Sequence, residues 1–225
     1  MKKIIIAILL GSFSLISCQK ETSVPTVTAS SYMSMTANNS WNYETTDNIL
    51  KDSTEYTLTS TNRDSAINGK SYHIFTKTAG ANQYYNLSGN DYYTFQNLPV
   101  TTGINSIESI YLKDNVALNG TWSQSYTINA SGVPLTINLL NTIAQKNTSL
   151  TVNGINYTDV IQVTTSLSAS FLGVPLPSSA ITTDIQTYFA KKVGMILAKN
   201  KVSINYSGTI NNIDETTYLK TSSVK

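Results

Sequence analysis

Two residues of the chain belong to chemically versatile types that occur only once in the sequence. The 225-residue chain has one Cys, at position 18, and one His, at position 73. A lone Cys excludes an intrachain disulfide and a Cys-based zinc site, and a lone His excludes a site built from several histidines. We therefore predict neither a metal site nor a bound cofactor.

The surroundings of His73 do not predict catalysis. The segment Ser71-Tyr72-His73-Ile74-Phe75 has a strand-like composition, so His73 is either a lone general base or a locally hydrogen-bonded strand residue, and we favour the second interpretation. Neither a Gly-x-Ser-x-Gly elbow nor a Gly-rich phosphate loop is present. Asp214 and Glu215 are adjacent, and strand neighbours point to opposite faces. We expect no enzymatic activity, although a glycosidase built from two distant carboxylates stays open.

Cys18 follows a segment that predicts covalent lipid attachment. Lys2 and Lys3 precede an apolar stretch at residues 4–16, which has the proportions of a signal peptide and is too short to span a bilayer comfortably. Leu15-Ile16-Ser17-Cys18 resembles the lipobox of bacterial lipoproteins. We predict a signal peptide at residues 1–17 and an acylated Cys18. The alternatives are an ordinary secreted protein or a free reactive thiol.

The predicted acylation has consequences for location. Two or more acyl chains anchor a protein stably, and no later stretch reaches 18 apolar residues, so the chain should be anchored without spanning the membrane. Residues 19–23 lack the Asp at the second position that retains lipoproteins in the inner membrane of enteric-type cells. We predict the outer membrane, and the sequence leaves open whether the protein faces the surface or the periplasm.

The charge of the mature chain argues against nucleic acid as a partner. The sequence has 15 Lys and Arg and 13 Asp and Glu, and removal of Lys2 and Lys3 leaves 13 of each sign. A protein of zero net charge lacks the basic surface that binds phosphates. The predicted partners are therefore the membrane, through the anchor, and an unidentified protein or glycan.

The rest of the chain reads as a tether followed by one β domain. Residues 18–36 show no periodicity and few bulky apolar side chains, which is typical of a flexible spacer. Residues 37–225 show no break in composition and no convincing helical period. Roughly a dozen short strands with regular turns predict a single all-β antiparallel domain, either a curved sheet or barrel or, alternatively, a β-sandwich.

Three dipeptides predict the tips of hairpins: Asn68-Gly69, Gly89-Asn90 and Asn153-Gly154. The third predicts pairing of Val152 with Ile155 and of Leu150 with Tyr157, with these four apolar side chains on one face. The second predicts pairing of Leu87 with Tyr92 and of Tyr84 with Phe95. Aromatic side chains would then occupy both faces of that hairpin, which predicts that it is covered on both sides.

Two sets of residues are candidates for binding. Asp159 shares a strand face with apolar residues, so either a bulge turns it outward or it points inward and is hydrogen-bonded, in a structural or a ligand-binding role. The aromatic residues Trp41, Trp122, Tyr84 and Tyr93 could form a glycan-stacking platform. Core and rim positions are the alternative and the default.

Four short segments, at residues 39–43, 67–72, 157–163 and 188–196, together resemble a widespread group of β-rich, single-domain Bacteroidota-type lipoproteins of uncharacterised function. The resemblance implies a location in the cell envelope and a β-rich fold, and it implies no catalytic residues. The predicted function is a non-catalytic envelope lipoprotein that presents a β domain to a protein or glycan partner. A carrier of a lipid or other apolar ligand is the alternative, although no lid helix is predicted. The two hypotheses differ in the interior of the sheet, which should be hollow in a carrier and filled by the protein's own side chains otherwise.

Overall fold

The computed structural model describes residues 31–97, 106–130, 133–206 and 209–225. In these ranges the chain forms strands and no helix, so no helix there has the length and hydropathy needed to cross a membrane. The strands in chain order are β1 (Ser40–Asp47), β2 (Asp52–Ile67), β3 (Lys70–Lys77), β4 (Gln83–Ser88), β5 (Asp91–Asn97), β6 (Ser106–Lys113), β7 (Thr121–Ala130), β8 (Val133–Val152), β9 (Ile155–Phe171), β10 (Val174–Pro175), β11 (Ile181–Ala190), β12 (Gly194–Tyr206) and β13 (Thr209–Ser223).

All strand pairs are antiparallel and belong to one sheet, which confirms the predicted all-β fold. The order across the sheet is β6-β5-β4-β3-β2-β1-β13-β12-β11-β9-β8-β7, with β10 added to β9. The first strand therefore pairs with the last, which joins the two halves of the chain. The sheet curls into a nearly closed barrel, so the barrel prediction is confirmed and the sandwich alternative is wrong.

The two ends of the sheet, β6 and β7, meet at a seam that side chains bridge. The indole Nε1–H of Trp122 in β7 donates to the carbonyl oxygen of Ile110 in β6 at 3.0 Å. The hydroxyl of Tyr126 in β7 donates to the carbonyl oxygen of Glu108 at 2.9 Å. These bonds satisfy main-chain acceptors of an edge strand.

The predicted hairpin register is confirmed at residues 150–157. Asn153 and Gly154 have φ angles of +50° and +77°, and Val152 pairs with Ile155 and Leu150 with Tyr157. Val152 and Tyr157 are buried, whereas Ile155 is 45% exposed at the tip. The inward face therefore reaches the turn on β8, at Val152, whereas on β9 it begins at Tyr157 and leaves Ile155 exposed.

The other two predicted turns are also present. Ile67 pairs with Lys70 across Asn68-Gly69, and Leu87 pairs with Tyr92 across Gly89-Asn90. In the second hairpin Tyr92 is buried in the main core, while Phe95 is 9% exposed and packs against Tyr72 and Tyr84. Aromatic side chains are thus covered on both faces, as predicted.

Several strands are longer than the sequence predicted. β8 has 20 residues, β9 has 17 and β2 has 16. The pairing of β8 with β9 shifts register at three places between Ile143 and Leu150. Bulges let one long strand bend around the barrel, and they also interrupt the alternation of apolar and polar residues. The sequence therefore shows only the shorter alternating pieces between them.

Residues 31–39 form a segment that closes one end of the barrel, which we call the strap. Tyr32 and Met33 are 5% and 7% exposed. The Tyr32 N–H donates to the hydroxyl of Tyr92 at 3.0 Å, and the Lys192 N–H donates to the carbonyl of Ser31 at 2.8 Å. The prediction of a flexible tether is therefore wrong for residues 31–35, because Tyr32, Met33 and Met35 pack into the barrel end. Residues 18–30 lie outside the described ranges.

Candidate functional site

The barrel interior contains a cavity of about 350 Å³ that is partly open to solvent. Its walls come from inward-facing side chains of β1, β2, β4–β9, β11 and β12, and Tyr32 and Met33 of the strap also line it. A volume of this size falls in the range of small-molecule sites, roughly 300–1,000 Å³. The interior of the sheet is therefore hollow over part of its length.

Aromatic and sulfur-containing side chains line the part of the cavity nearest the strap. The rings of Tyr111 and Phe189 lie 5.5 Å apart between centroids, and those of Tyr85 and Tyr111 lie 5.8 Å apart. Met33 and Met195 add thioether groups to this wall. Such a wall offers a polarisable apolar surface to a bound molecule.

Uncharged polar side chains line the part of the cavity farther from the strap. Strand direction places them there, because most of them lie two or more positions farther along their strand from the strap than an aromatic or aliphatic residue of the same strand. They are Gln83, Thr94, Gln96, Ser109, Gln124, Asn141, Thr165 and Thr187. The sequence signal for this arrangement is Gln83 two residues before Tyr85, and Gln96 two residues after Thr94, since such spacing puts both members on one strand face.

The cavity wall carries no charged side chain among the described residues. Burial raises the pKa of Tyr43 and Tyr111 well above the ordinary value, with smaller contributions from neighbouring tyrosines, and burial also raises the pKa of Tyr85. These phenols are therefore neutral at physiological pH. The site is electrically neutral and its polar groups act only through hydrogen bonds.

Two buried polar atoms of the wall have no hydrogen-bond partner within the described part of the chain. They are the hydroxyl oxygen of Tyr111 and Nδ2 of Asn141. Asn141 is 5% exposed, and its Oδ1 accepts a bond from Thr165 Oγ1 at 2.7 Å. By contrast, Tyr43 donates to the Met195 carbonyl and Tyr85 donates to Gln83 Oε1. An unpaired buried polar group costs about 1–3 kcal/mol. Neither residue lies in a sequence pattern that predicts a binding role.

The two tryptophans are core residues and do not form the aromatic platform that was considered as a possibility. Trp41 is 1% exposed and donates its indole N–H to the carbonyl of Val193 at 2.6 Å, and Trp122 is 8% exposed and bonded at the seam. The alternative of core positions is correct for both, because each indole finds an internal acceptor as well as an apolar environment.

The two tyrosines of the predicted platform lie apart from the cavity wall. Tyr84 is half-buried with its ring edge against Phe95, at a centroid distance of 6.2 Å. Tyr93 is half-buried, and the Lys70 ammonium lies 4.0 Å from its ring centroid. These contacts stabilise one face of the β3–β6 region and do not join the tyrosines to either tryptophan.

Asp159 lies at a bulge and is exposed. Its φ is +52°. Leu150 pairs with Tyr157 and Thr148 pairs with Val160, so β9 advances three positions where β8 advances two. Of the two alternatives, the structure shows the bulge that turns the carboxylate outward. Asp159 is not part of the cavity wall. The lipidation candidate, Cys18, lies outside the described residues.

His73 takes part in an arrangement that the sequence did not predict. Its Nδ1 lies 2.7 Å from Asp64 Oδ1 and its Nε2 lies 3.0 Å from Ser60 Oγ. A bulge in β2 sets four steps along that strand, from Ser60 to Asp64, against two steps along β3, from Phe75 to His73, so no sequence spacing reveals the alignment. These distances are those of a Ser-His-Asp triad.

Burial of Ser60 argues against nucleophilic catalysis by this trio. Ser60 is 1% exposed, and its hydroxyl also lies 3.2 Å from the Met35 carbonyl of the strap. A cleft of about 420 Å³ lies beside His73 and Asp64, but Ser60 does not line it. A substrate carbonyl in the cleft therefore does not reach Ser60 Oγ. The trio connects β3 and β2 to the strap, which agrees with a hydrogen-bonded strand histidine.

Comparisons with known proteins bear on the fold. No family model and no curated protein matches the sequence. Among solved structures, the chain is similar to a candidate lipoprotein from Parabacteroides distasonis ATCC 8503, with a TM-score of 0.52 and 9% sequence identity over 86% of this chain and 99% of that chain. Similarity at this identity shows a shared fold.

Proposed function

We propose that this chain is a non-catalytic cell-envelope lipoprotein that binds a small molecule inside its barrel. The observation that carries the proposal is the cavity of about 350 Å³, whose wall holds two buried polar atoms, Tyr111 Oη and Asn141 Nδ2, with no hydrogen-bond partner among the described residues. A hollow interior favours the carrier hypothesis. The display of an outer surface to a partner is less favoured, because the two tryptophans that could have stacked on a glycan there belong to the core.

The envelope location rests on two further observations. The sequence combines a short apolar stretch after Lys2 and Lys3 with Leu15-Ile16-Ser17-Cys18. The structurally similar Parabacteroides protein is itself a candidate lipoprotein. We propose anchoring in the outer membrane through acyl chains on Cys18, with the barrel as the aqueous-facing part of the molecule.

The strap gives the proposed carrier a closed end without a helix. Tyr32 and Met33 lie at the end of the cavity where β1 begins, so a ligand would contact them at the bottom of the site. A lid helix was the feature that the sequence lacked for a carrier. A strap that enters the barrel performs the same exclusion of solvent from one side.

Binding of N-phenyl-1-naphthylamine, an uncharged probe whose fluorescence rises in apolar surroundings, tests the proposal. The protein would be residues 18–225 with Cys18→Ser, free of lipid and detergent. Thr187→Trp places a large side chain in the cavity, since Thr187 lines it from β11. We expect saturable binding to the parent and at least about tenfold weaker binding to this variant.

Thr182→Trp is the matched control, because Thr182 belongs to the same strand but is exposed to solvent. It should change the probe's dissociation constant by less than about twofold. Absence of saturable binding to the parent, or equal loss in both variants, would show that the interior is not a binding site.

A further inference from the structure

The cavity wall carries information about the chemistry of its ligand, and the inference that follows rests on the function proposed above. Its polar atoms come from amide and hydroxyl side chains, with no ammonium, guanidinium or carboxylate group among the described lining residues. A charged ligand would lose its hydration there without gaining a counter-ion, which is strongly unfavourable. An uncharged ligand pays no such penalty.

The two unpartnered atoms add a directional requirement. Nδ2 of Asn141 can only donate a hydrogen bond, and the Tyr111 hydroxyl is held in its protonated form by burial and can also donate. Tyr111 lies on β6 and Asn141 lies on β8, so the two donors approach the cavity from either side of the seam strand β7. A ligand oxygen with lone pairs would satisfy them.

The remaining wall defines the body of the ligand. Tyr85, Tyr111 and Phe189 form an aromatic cluster, and Met33 and Met195 lie beside it. Rings stack well on such surfaces, and thioethers adapt to irregular apolar shapes. At about 350 Å³ the cavity lies near the lower limit for ligand sites, which favours a small, compact molecule.

We infer that the barrel binds a small uncharged molecule with an apolar or aromatic body and a carbonyl, ether or hydroxyl oxygen that accepts hydrogen bonds from Tyr111 and Asn141. Neutral aromatic ketones are the simplest probes of this class. The oxygen is recognised where the aromatic cluster that contains Tyr111 meets the polar part that contains Asn141, and burial of the two donor atoms lets each hydrogen bond contribute specificity.

The charge requirement is tested with two probes of nearly the same shape. N-phenyl-1-naphthylamine is neutral, and 1-anilinonaphthalene-8-sulfonate adds a sulfonate to the same ring framework. With the Cys18→Ser chain of residues 18–225, the neutral probe should bind at least about tenfold more tightly. Equal affinity, with both probes excluded by Thr187→Trp, would overturn the inference and leave the proposed function standing. Absence of binding by any probe would overturn both.

The acceptor requirement is tested with 6-propionyl-2-dimethylaminonaphthalene, which carries a ketone, and 2-dimethylaminonaphthalene, which lacks it. Tyr111→Phe and Asn141→Leu should each raise the dissociation constant of the ketone probe by about fivefold. Each should change the dissociation constant of the ring-only probe by less than about twofold. Tyr84→Phe and Asn138→Leu are matched controls, because neither residue lines the cavity.

The use of two variants keeps the test informative if one of them fails to fold. Asn141→Leu also removes the acceptor of Thr165 Oγ1, which is 2.7 Å away, and this loss could destabilise β8. Tyr111→Phe removes only an unpartnered hydroxyl and keeps the ring, so it should fold at least as well as the parent. Equal effects of Tyr111→Phe on the two probes, or no effect on either, would show that water alone occupies the site near Tyr111.

Discussion

At the scale of single residues, positive φ angles decide where the long strands turn and bend. Asn153 and Gly154 form a two-residue turn with φ angles of +50° and +77°, and Asp159 reaches +52° a few residues later. Glycine adopts this region freely and Asn and Asp tolerate it, whereas a β-branched residue does not. Positive φ angles thus form the hairpin tip at Asn153-Gly154 and turn the carboxylate outward at Asp159.

Gly154→Val is expected to destabilise the domain by about 1–3 kcal/mol. A Cβ at this position would meet no atom within 4 Å, so the cost comes from the backbone conformation and not from a clash. The strands cannot slip to relieve it, since Val152 and Tyr157 would leave the core. Urea melts of residues 31–225 measure the change.

Asn156→Ser serves as the control in the same hairpin, because Asn156 is exposed and its side chain is held only by a long contact to Thr151 at 3.5 Å. It should change stability by less than about 0.5 kcal/mol. Similar losses in the two variants would contradict the role assigned to the turn.

At the scale of elements, the strap is the segment on which the closed end of the barrel depends. Asn39 is fully buried, donates to Ser34 Oγ at 2.6 Å and accepts from the Lys225 N–H at 3.0 Å. Trp41, just after the strap, donates to the Val193 carbonyl. Two of the segments that carry the family resemblance, residues 39–43 and 188–196, therefore meet here, and their shared role is structural.

A domain that begins at residue 37 is expected to be less stable than one that begins at residue 31 by about 3–6 kcal/mol. The estimate follows from the burial of two large side chains, Tyr32 and Met33, at about 1.5–3 kcal/mol each. The truncation also leaves the Tyr92 hydroxyl without its bond from the Tyr32 N–H. Paired urea denaturation curves of the two proteins test this.

A third protein that begins at residue 19 should match the one that begins at residue 31, if the strap alone accounts for the difference. Should the domain from residue 37 unfold at the same urea concentration as the longer proteins, the strap would be an accessory segment and not part of the fold.

At the scale of the whole molecule, the proposed lipid anchor and the hollow barrel have separate roles. The barrel's first described residue, Ser31, accepts a bond from Lys192 at the closed end, so the chain enters the fold on the side away from the more polar part of the cavity. Twelve residues lie between Cys18 and Ser31. In the proposed protein the lipid anchor holds the barrel near a membrane, and the barrel holds its ligand independently of that membrane.

Cys18→Ala is expected to abolish membrane attachment or to stall processing of residues 1–17. Removal of the thiol removes the acceptor for the acyl chains, which hold the protein through about 0.8 kcal/mol per buried CH₂. Fractionation of cells and mass spectrometry of the N-terminal peptide measure the outcome. Unchanged partitioning together with an unchanged peptide mass would disprove the assignment.

The sequence by itself determined the local features of this protein. The type I′ turn signal and alternation at residues 150–157 predicted both the tip and the pairing of Leu150 with Tyr157, because a two-residue turn allows one register. The absence of a helical period and the frequent turn residues predicted the all-β fold. These inferences succeed because they depend on neighbours within a few positions along the chain.

Tertiary structure alone decided where the hollow and the strap lie. Tyr111 and Asn141 come from strands that meet only when the sheet curls, and Ser60, Asp64 and His73 align only through a bulge. Tyr32 and Met33 were predicted to belong to the tether because the segment around them shows no periodicity and few bulky apolar side chains. The physical reason is common to all three cases: closure of a barrel brings together side chains of distant strands, and bulges change which face a residue occupies.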